Sequence, residues 1–427
     1  MQKISLPRGV KDLLPDDHKY FTLIKKVVRH RCRQSGFRRI STPMFEFTEV
    51  FTRGIGEETD IVSKEMYTFE DRKGKSLCLK PESTAGIVRA YVENGMRNLP
   101  KPINLYYIEP SFRYDRPQRG RFRQFHQFGV EAIGEADSSI DAQVIYLAWR
   151  IIKDLKIEEE INIEINSIGD DQTKKAYSED LINFYTGKER SLCENCKKRL
   201  EKNPLRLLDC KKEDCKILAS IAPKIDDSLS KKAKEHFEHL KEYLDNLNIK
   251  FKVNPKLVRG LDYYTNTVFE FITKEKGSQN AILGGGRYDN LIEKFGEEET
   301  PAVGFAGGIE RIVDIMKEKN VLIPSKDRLQ VFVSHIGEEA KRKALPVLIK
   351  MREVGIKAVG VLSKGSMKSQ MRAAASFNVR YTLILGVTEV REGKIILRDM
   401  LKGTQKKISL ENCVEIIKEK LETSNSN

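Results

Sequence analysis

Phe112-Arg113-Tyr114-Asp115-Arg116-Pro117-Gln118-Arg119-Gly120-Arg121-Phe122-Arg123-Gln124-Phe125, running on as His126-Gln127-Phe128-Gly129-Val130-Glu131, sets five arginines within eleven residues. Pro117 and Gly120 break the extended pattern on either side of them. The stretch therefore reads as a strand, a basic hairpin tip and a returning strand. A loop so charged can close over a polyphosphate, and Phe125 offers a flat face on which a base can stack. Composition alone also allows a solvated basic hairpin.

The neighbouring segments extend the sheet. Ser76-Leu77-Cys78-Leu79, Ile103 to Pro110 and Phe125 to Gly134 read as strands, with a helix over Glu82 to Asn94 between the first two. Upstream, Asp17 to Gln34 carries Phe21, Ile24, Val27 and Val28 on one helical face, ends at Gly36 and passes into Phe37 to Glu46, read as a strand bent at Pro43. This predicts an α+β fold, a mostly antiparallel sheet with helices packed on it. From about Ser167 to Phe251 the texture becomes lysine-rich and helix-biased, which reads as an insertion. Strand signals return at Leu261 to Thr273 and Ala281 to Gly286, helix signals follow Ile309, and Pro324 marks a boundary. Beyond it, apolar runs at 329–337, 358–362 and 381–387 alternate with helical runs beginning near Glu338 and Lys368, a βαβ pattern that implies a parallel sheet. The expected domains are 1–166 with 252–324, an insertion over 167–251, and a C-terminal α/β domain over 325–427.

At 427 residues, two or three domains are expected. The composition, 40% hydrophobic and 32% charged, is that of a globular protein, with no apolar run long enough for a transmembrane helix. Acidic residues and prolines in the first 25 positions argue against signal and transit peptides, so a cytoplasmic location is expected. The net charge of +14 is uneven: residues 328–427 hold 19 Lys/Arg against 10 Asp/Glu. A basic domain suits a polyanion such as RNA, although basic surfaces also serve solubility.

The order of residues from Phe112 to Glu131 resembles motif 2 of class II aminoacyl-tRNA synthetases in the form carried by histidyl-tRNA synthetases. Val303-Gly304-Phe305-Ala306-Gly307-Gly308-Ile309-Glu310-Arg311 resembles motif 3, and Gly36 to Glu46 resembles motif 1, the segment that builds the class II dimer. Leu257-Val258-Arg259-Gly260-Leu261-Asp262-Tyr263-Tyr264-Thr265 and Leu283-Gly284-Gly285-Gly286-Arg287-Tyr288-Asp289 are similar to the two peptides peculiar to the histidine enzymes. Taken by itself the glycine cluster would read as a bulge, and the tyrosines as core aromatics.

The resemblance implies activation of L-histidine with ATP and magnesium, transfer to tRNA(His), and a homodimer. It makes Arg113 and Arg259 the catalytic charges. Arg113, Arg121, Phe125 and Arg311 would hold ATP, while Glu82, Ser83, Thr84, Gln127, Glu131, Tyr263, Tyr264 and Tyr288 would hold histidine. Glu82 can equally cap the helix that follows it. Arg116 and Arg123 at the loop tip would meet the tRNA acceptor end. The last domain, with Lys364, Lys368 and Arg372 near a helix start, resembles an anticodon-binding domain. Ser334 to Gly337 and Gly365 to Ser369 look like incomplete class I signatures and are set aside as chance.

Seven cysteines without a secretory signal fit reduced thiols. Cys193-x2-Cys196 followed by Cys210-x4-Cys215 has spacings near those of structural zinc sites, against four reduced thiols in a small helical domain. Lys197, Lys198, Lys211 and Lys212 favour thiolates under either reading.

Overall fold

The structure, a computed structural model, describes residues 4–57, 59–210, 212–274, 281–323 and 328–425. Lys211 and the boundary residue Pro324 lie outside the described residues. The chain divides into two compact units, Met1–Ile323 and Pro324–Asn427.

The first unit is built on an eight-stranded sheet. Its six long strands, Ile103–Phe112, Gln124–Ile133, Ala302–Gly308, Ala281–Arg287, Thr265–Thr273 and Ile161–Ser167, lie side by side in that order, each antiparallel to the next. A two-residue strand is added in parallel at each edge, Arg38–Arg39 and Lys252–Val253. Strand side chains alternate between faces. Phe128, Val130, Ala132, Val303, Phe305, Phe269 and Phe271 are buried on one side, under Phe21, Ile24 and Val28 of the helix Pro15–Gln34 and the apolar stripes of the helices Ser138–Asp154, Lys231–Asn246 and Ile309–Glu318. The first of these helices has Pro15 in its first turn, where the missing N–H costs nothing, and is followed by Gly36 at φ 79°. The opposite face of the sheet carries the polar residues together with a second apolar cluster that includes Leu105, Tyr107 and Val268.

Phe37 to Glu46 is two strands rather than one. Arg38–Arg39 joins the large sheet, and Phe45–Phe47 joins a separate three-stranded sheet with Tyr67–Glu70 and Ser76–Leu79. Pro43, which lacks an N–H and bends the chain, stands between them. The expected helix at Glu82 to Asn94 is present as Thr84–Glu93. Between Ile161–Ser167 and Lys252–Val253 every described regular element is helical, the longer ones being Asp171–Tyr185, Glu194–Lys202, Glu213–Ser220 and Lys231–Asn246.

The second unit has a five-stranded sheet. Ala358–Val359, Val331–His335 and Tyr381–Leu385 are parallel, with Glu338–Glu353 and Met367–Ser376 as the intervening helices. The sheet is not wholly parallel, however. An antiparallel hairpin, Lys394–Asp399 and Gln405–Ser409, extends it beyond the βαβ unit. The lysines in both strands of this hairpin mask the alternation that would have marked it.

Candidate active site

The polar face of the large sheet floors a cavity of about 650 Å³. Along Gln124–Ile133 the odd-numbered residues face it: Phe125, Gln127 and Glu131 line the cavity, while Phe128, Val130 and Ala132 go to the core. Phe125 and Glu131 are therefore about 20 Å apart along one strand. This length sets nucleotide-like and small-ligand chemistry at different ends of the same floor.

At the Glu131 end the carboxylate is fully buried and held on both oxygens. The Thr84 hydroxyl donates to Oε1 at 2.7 Å and the Tyr288 hydroxyl to Oε2 at 2.5 Å. Burial pushes the Glu131 carboxyl up to about 8, with nearby Glu82 adding to it and the two hydroxyls pulling against it. Tyr263 stands between Tyr264 and Tyr288, with ring centroids 4.7 and 5.6 Å away, so three aromatic rings close this end. Gly304 is the residue opposite Glu131 on the next strand. A Cβ there would lie 1.8 Å from Glu131 Oε2. Glu82 accepts from the backbone N–H groups of Thr84 and Ala85 at 2.6 and 2.8 Å, so it does cap the helix while also lining the cavity. Burial raises its pKa.

At the Phe125 end the charges are guanidinium groups. Arg113 donates to Pro81 O at 2.9 Å and lies over the Phe125 ring at 5.4 Å. Arg311 donates to Gly120 O at 3.1 Å, which ties the hairpin loop to the helix that follows Gly308. Arg121 meets Asp115, and Glu65 at 3.4 Å. Burial lowers the pKa of all three arginines, and for Arg311 the proximity of Arg121 and Arg113 adds to it. Their mutual repulsion and desolvation favour a polyanion between them.

Arg259 lies between the two ends. Its guanidinium rests where a Cβ of Gly284 would be, at 2.3 Å from Nη1. Gly284 pairs with Ala306, which pairs with Gly129, so Arg259 is level with the floor between Gln127 and Glu131. The glycines at 284–286 are thus paired strand positions, with register shifts on either side, between Ala281 and Leu283 and between Gly286 and Arg287, so the irregularity expected of the cluster falls at its end. Burial works against the Arg259 charge, but the ion pair with Glu270 and the neighbouring Tyr264 raise its pKa above the ordinary value.

Residues 9–312 match the family model for histidyl-tRNA synthetase, and residues 330–420 match that for an anticodon binding domain. The chain belongs to the histidyl-tRNA synthetase family. It is 46% identical to a histidine–tRNA ligase of Halothermothrix orenii over 412 residues, covering 96% of this chain and 98% of that protein. Among solved structures, apo histidyl-tRNA synthetase of S. aureus is 34% identical with a TM-score of 0.83, covering 97% of this chain and 100% of that one. A Bacillus halodurans protein described as an ATP phosphoribosyltransferase regulatory subunit/histidyl-tRNA synthetase is 25% identical with a TM-score of 0.64, covering 90% of this chain and 100% of that one.

Of the residues singled out in the sequence, Glu82, Thr84, Arg113, Arg121, Phe125, Gln127, Glu131, Arg259, Tyr263, Tyr264, Tyr288 and Arg311 all line this one cavity of the synthetase fold. Ser83 does not: it is buried at the start of the helix Thr84–Glu93 with its hydroxyl unpartnered. Arg116 is exposed, while Arg123 stacks on Tyr114 at 3.8 Å and donates its backbone N–H to Gly9 O at 2.7 Å. Sequence reasoning missed Glu270 and Glu65. Glu270 had a signal, as a charge standing between Phe269 and Phe271 in a strand. Glu65 ends a π-helical turn, Ile61–Glu65, that no pattern announces.

The four insertion cysteines come together, their Sγ atoms all within 4.8 Å of one another. Among the described residues they are the one group of three or more His, Cys, Asp or Glu side chains close enough to hold a metal ion, and Cys210 also lines the cavity.

Proposed function

We propose that the cavity carries out the first half of a histidine–tRNA ligase reaction, with the histidine imidazole against Glu131 and Tyr264 and the adenine on Phe125. The observation that carries this is Glu131, a buried carboxylate gripped by Thr84 and Tyr288 at the closed end of a floor whose other end is lined with arginines. A buried acceptor of this kind selects a ligand that brings an N–H to it, because any other leaves it unpaired. Glu82 and Gln127 are assigned to the α-ammonium, which a pair of acceptors suits, and Ser83 to the start of the helix Thr84–Glu93.

The reaction follows from the order along the floor. The histidine carboxylate attacks the α-phosphorus of ATP, pyrophosphate leaves, and negative charge builds on the non-bridging oxygens in between. Arg259, level with the floor between Gln127 and Glu131, and Arg113, over Phe125, are placed to meet that charge. Arg121 and Arg311 take the outer phosphates. A magnesium ion would enter on the β- and γ-phosphates; of the carboxylates that line the cavity, Glu270 is paired with Arg259 and Glu164 accepts from Asn254 at 2.6 Å, so the phosphates themselves would carry it. When bound, that ion neutralises phosphate charge. The aminoacyl group then passes to the 3′ end of tRNA(His), with Arg116 and Arg123 assigned to the acceptor end and 325–427 to the anticodon. Residues 1–166 with 252–324 are assigned to catalysis, and 167–251 to an insertion that contacts tRNA.

A homodimer completes the reading. In the three-stranded sheet Phe45, Leu79 and Tyr67 form one cross-strand row and Phe47, Leu77 and Phe69 the next, all on one face. Phe45, Phe47 and Phe69 are each about half exposed. An apolar face of this extent suits a second copy of the chain. Seven unpaired cysteines suit a reducing compartment, and the cytoplasm is the proposed place of action.

ATP–pyrophosphate exchange with each of the twenty amino acids, without tRNA, tests the reading. Exchange with histidine alone is expected. Exchange with another amino acid would sink the assignment of Glu131, and no exchange from folded, histidine-binding protein would leave a regulatory subunit.

A further inference from the structure

We propose that Cys193, Cys196, Cys210 and Cys215 hold one structural zinc ion as four thiolates, and that this ion fixes the chain segment forming one wall of the catalytic cavity. The activity described above needs no such ion, and the proposal stands whichever amino acid the enzyme uses.

The spacing of the sulfurs suits a tetrahedral site. Four sulfurs at about 2.3 Å from a central zinc are about 3.8 Å from one another. Here the Cys193 and Cys210 sulfurs are 3.9 Å apart, and no pair exceeds 4.8 Å. The Cys193–Cys210 distance is nearly twice that of a disulfide bond, about 2.0 Å. An iron–sulfur cluster would spread its four cysteines over more than one metal, wider than this. Four soft donors and no oxygen or nitrogen exclude magnesium and calcium and favour zinc.

Local structure presents the sulfurs inward. Cys193 is the residue before the helix Glu194–Lys202 and Cys196 is in its first turn, while Cys215 is in the first turn of Glu213–Ser220. Cys210 follows the turn Pro204–Leu207. Three of the four sulfurs therefore belong to the starts of two short helices, which fixes them in place. The Cys193 N–H donates to Cys215 Sγ at 3.4 Å, the kind of contact that steadies a metal-bound thiolate.

The segment needs a staple. Its helices are nine and eight residues long, too short to persist by themselves, and among its described residues there is no strand. Yet it has a definite task. Leu208, Asp209, Cys210 and Lys216 line the catalytic cavity. Asn203 donates to Asp262 at 2.9 Å, directly before Tyr263, and Arg199 and Arg206 reach Asp60 at 3.4 and 3.6 Å. A tetrathiolate ion would lock both ends of this wall against the tyrosine pair.

The test is elemental analysis of the full-length protein, purified without chelator and then equilibrated with zinc, together with the absorption spectrum after cobalt substitution. One zinc per chain is expected, released in step with modification of four thiols by a mercurial. The cobalt form should show the thiolate charge-transfer bands of a tetrahedral sulfur site. Cys196→Ser should weaken zinc binding by ~10-fold or more. If that variant does not fold, mercurial release and the cobalt spectrum of the wild type decide. Well under one zinc per chain with four freely titrating thiols would overturn the proposal, as would a disulfide among the four or undiminished zinc in Cys196→Ser.

Discussion

The Tyr288 hydroxyl donates to Glu131 Oε2 at 2.5 Å, so the carboxyl proposed to meet the imidazole is already held by the residue that follows the strand Ala281–Arg287. Burial still raises the Glu131 carboxyl from 4.5 to about 8. The sign of the resulting pH dependence follows from linkage. A folded-state pKa above the unfolded one contributes stability that is complete below about 4.5 and is lost as pH rises through about 8. Thermal melts of the ligand-free protein should therefore show a contribution that falls from pH 5 to pH 8 and is absent in Glu131→Gln. The two proteins should diverge by roughly 4 °C or more across that range. Saturating histidine should shrink the difference, because its N–H then satisfies the carboxylate. Parallel melting curves at every pH would remove the raised pKa from the account.

Gly284 and Gly304 separate activity from folding. The three atoms nearest a Cβ at Gly284 all belong to the guanidinium of Arg259, with Nη1 at 2.3 Å, and the far end of a long side chain can move away. Gly284→Ala should keep its melting temperature and lose about 100-fold or more in histidine-dependent pyrophosphate exchange, as Arg259→Ala should. A Cβ at Gly304 meets the Val130 carbonyl oxygen at 2.3 Å as well as Glu131, and backbone cannot turn aside. Gly304→Ala should cost about 1–3 kcal/mol of stability in addition to its activity. Full exchange activity in Gly284→Ala would mean that Arg259 is not needed where it lies.

These two glycines also show what was legible in the sequence. The run Phe125 to Gly134 reads as a strand returning from the basic hairpin, and the resemblance of the flanking peptides assembled the cavity residues around it. Partnership across strands was not legible. Glu270 reads as one charge in an apolar run until the fold sets it beside Arg259. Asp141 reads as a flaw in the apolar stripe of its helix until Arg287 arrives from a strand 146 residues later. Pro43 was visible, but that it divides the chain between two sheets depends on partners far away in sequence.

Arg287 and Asp141 are both fully buried and meet at 2.5 Å, with His236 Nε2 and the Thr267 hydroxyl also on Asp141, at 2.8 and 2.6 Å. Arg287 further donates to Glu135 O at 2.9 Å and pairs with Asp289 at 3.2 Å, immediately after Tyr288. Its place is therefore structural, holding the strand end that carries Tyr288. Arg287→Met should cost about 3–5 kcal/mol in denaturant unfolding, because Asp141 is left charged in a dry site. Adding Asp141→Asn should recover part of that loss. A double variant no more stable than Arg287→Met would show that the pair is not the source of the cost.

The exposed face of the three-stranded sheet makes the last prediction. Phe47, Leu77 and Phe69 lie in one cross-strand row with Phe47 on an outer strand, so a charge placed at Phe47 would fall on the apolar face that the second copy is proposed to cover. Phe47 is about half exposed in the single chain, so aspartate there leaves the core intact and should fold. Buried against a second copy, the same carboxylate would be desolvated with no partner, and by two-fold symmetry each interface would carry two of them. Sedimentation velocity of Phe47→Asp should show a monomer where the wild type is a dimer, with the melting temperature of the monomer lowered by the lost association. A wild type that sediments as a monomer at micromolar concentration, or a variant that stays dimeric, would move the partner surface elsewhere on the chain.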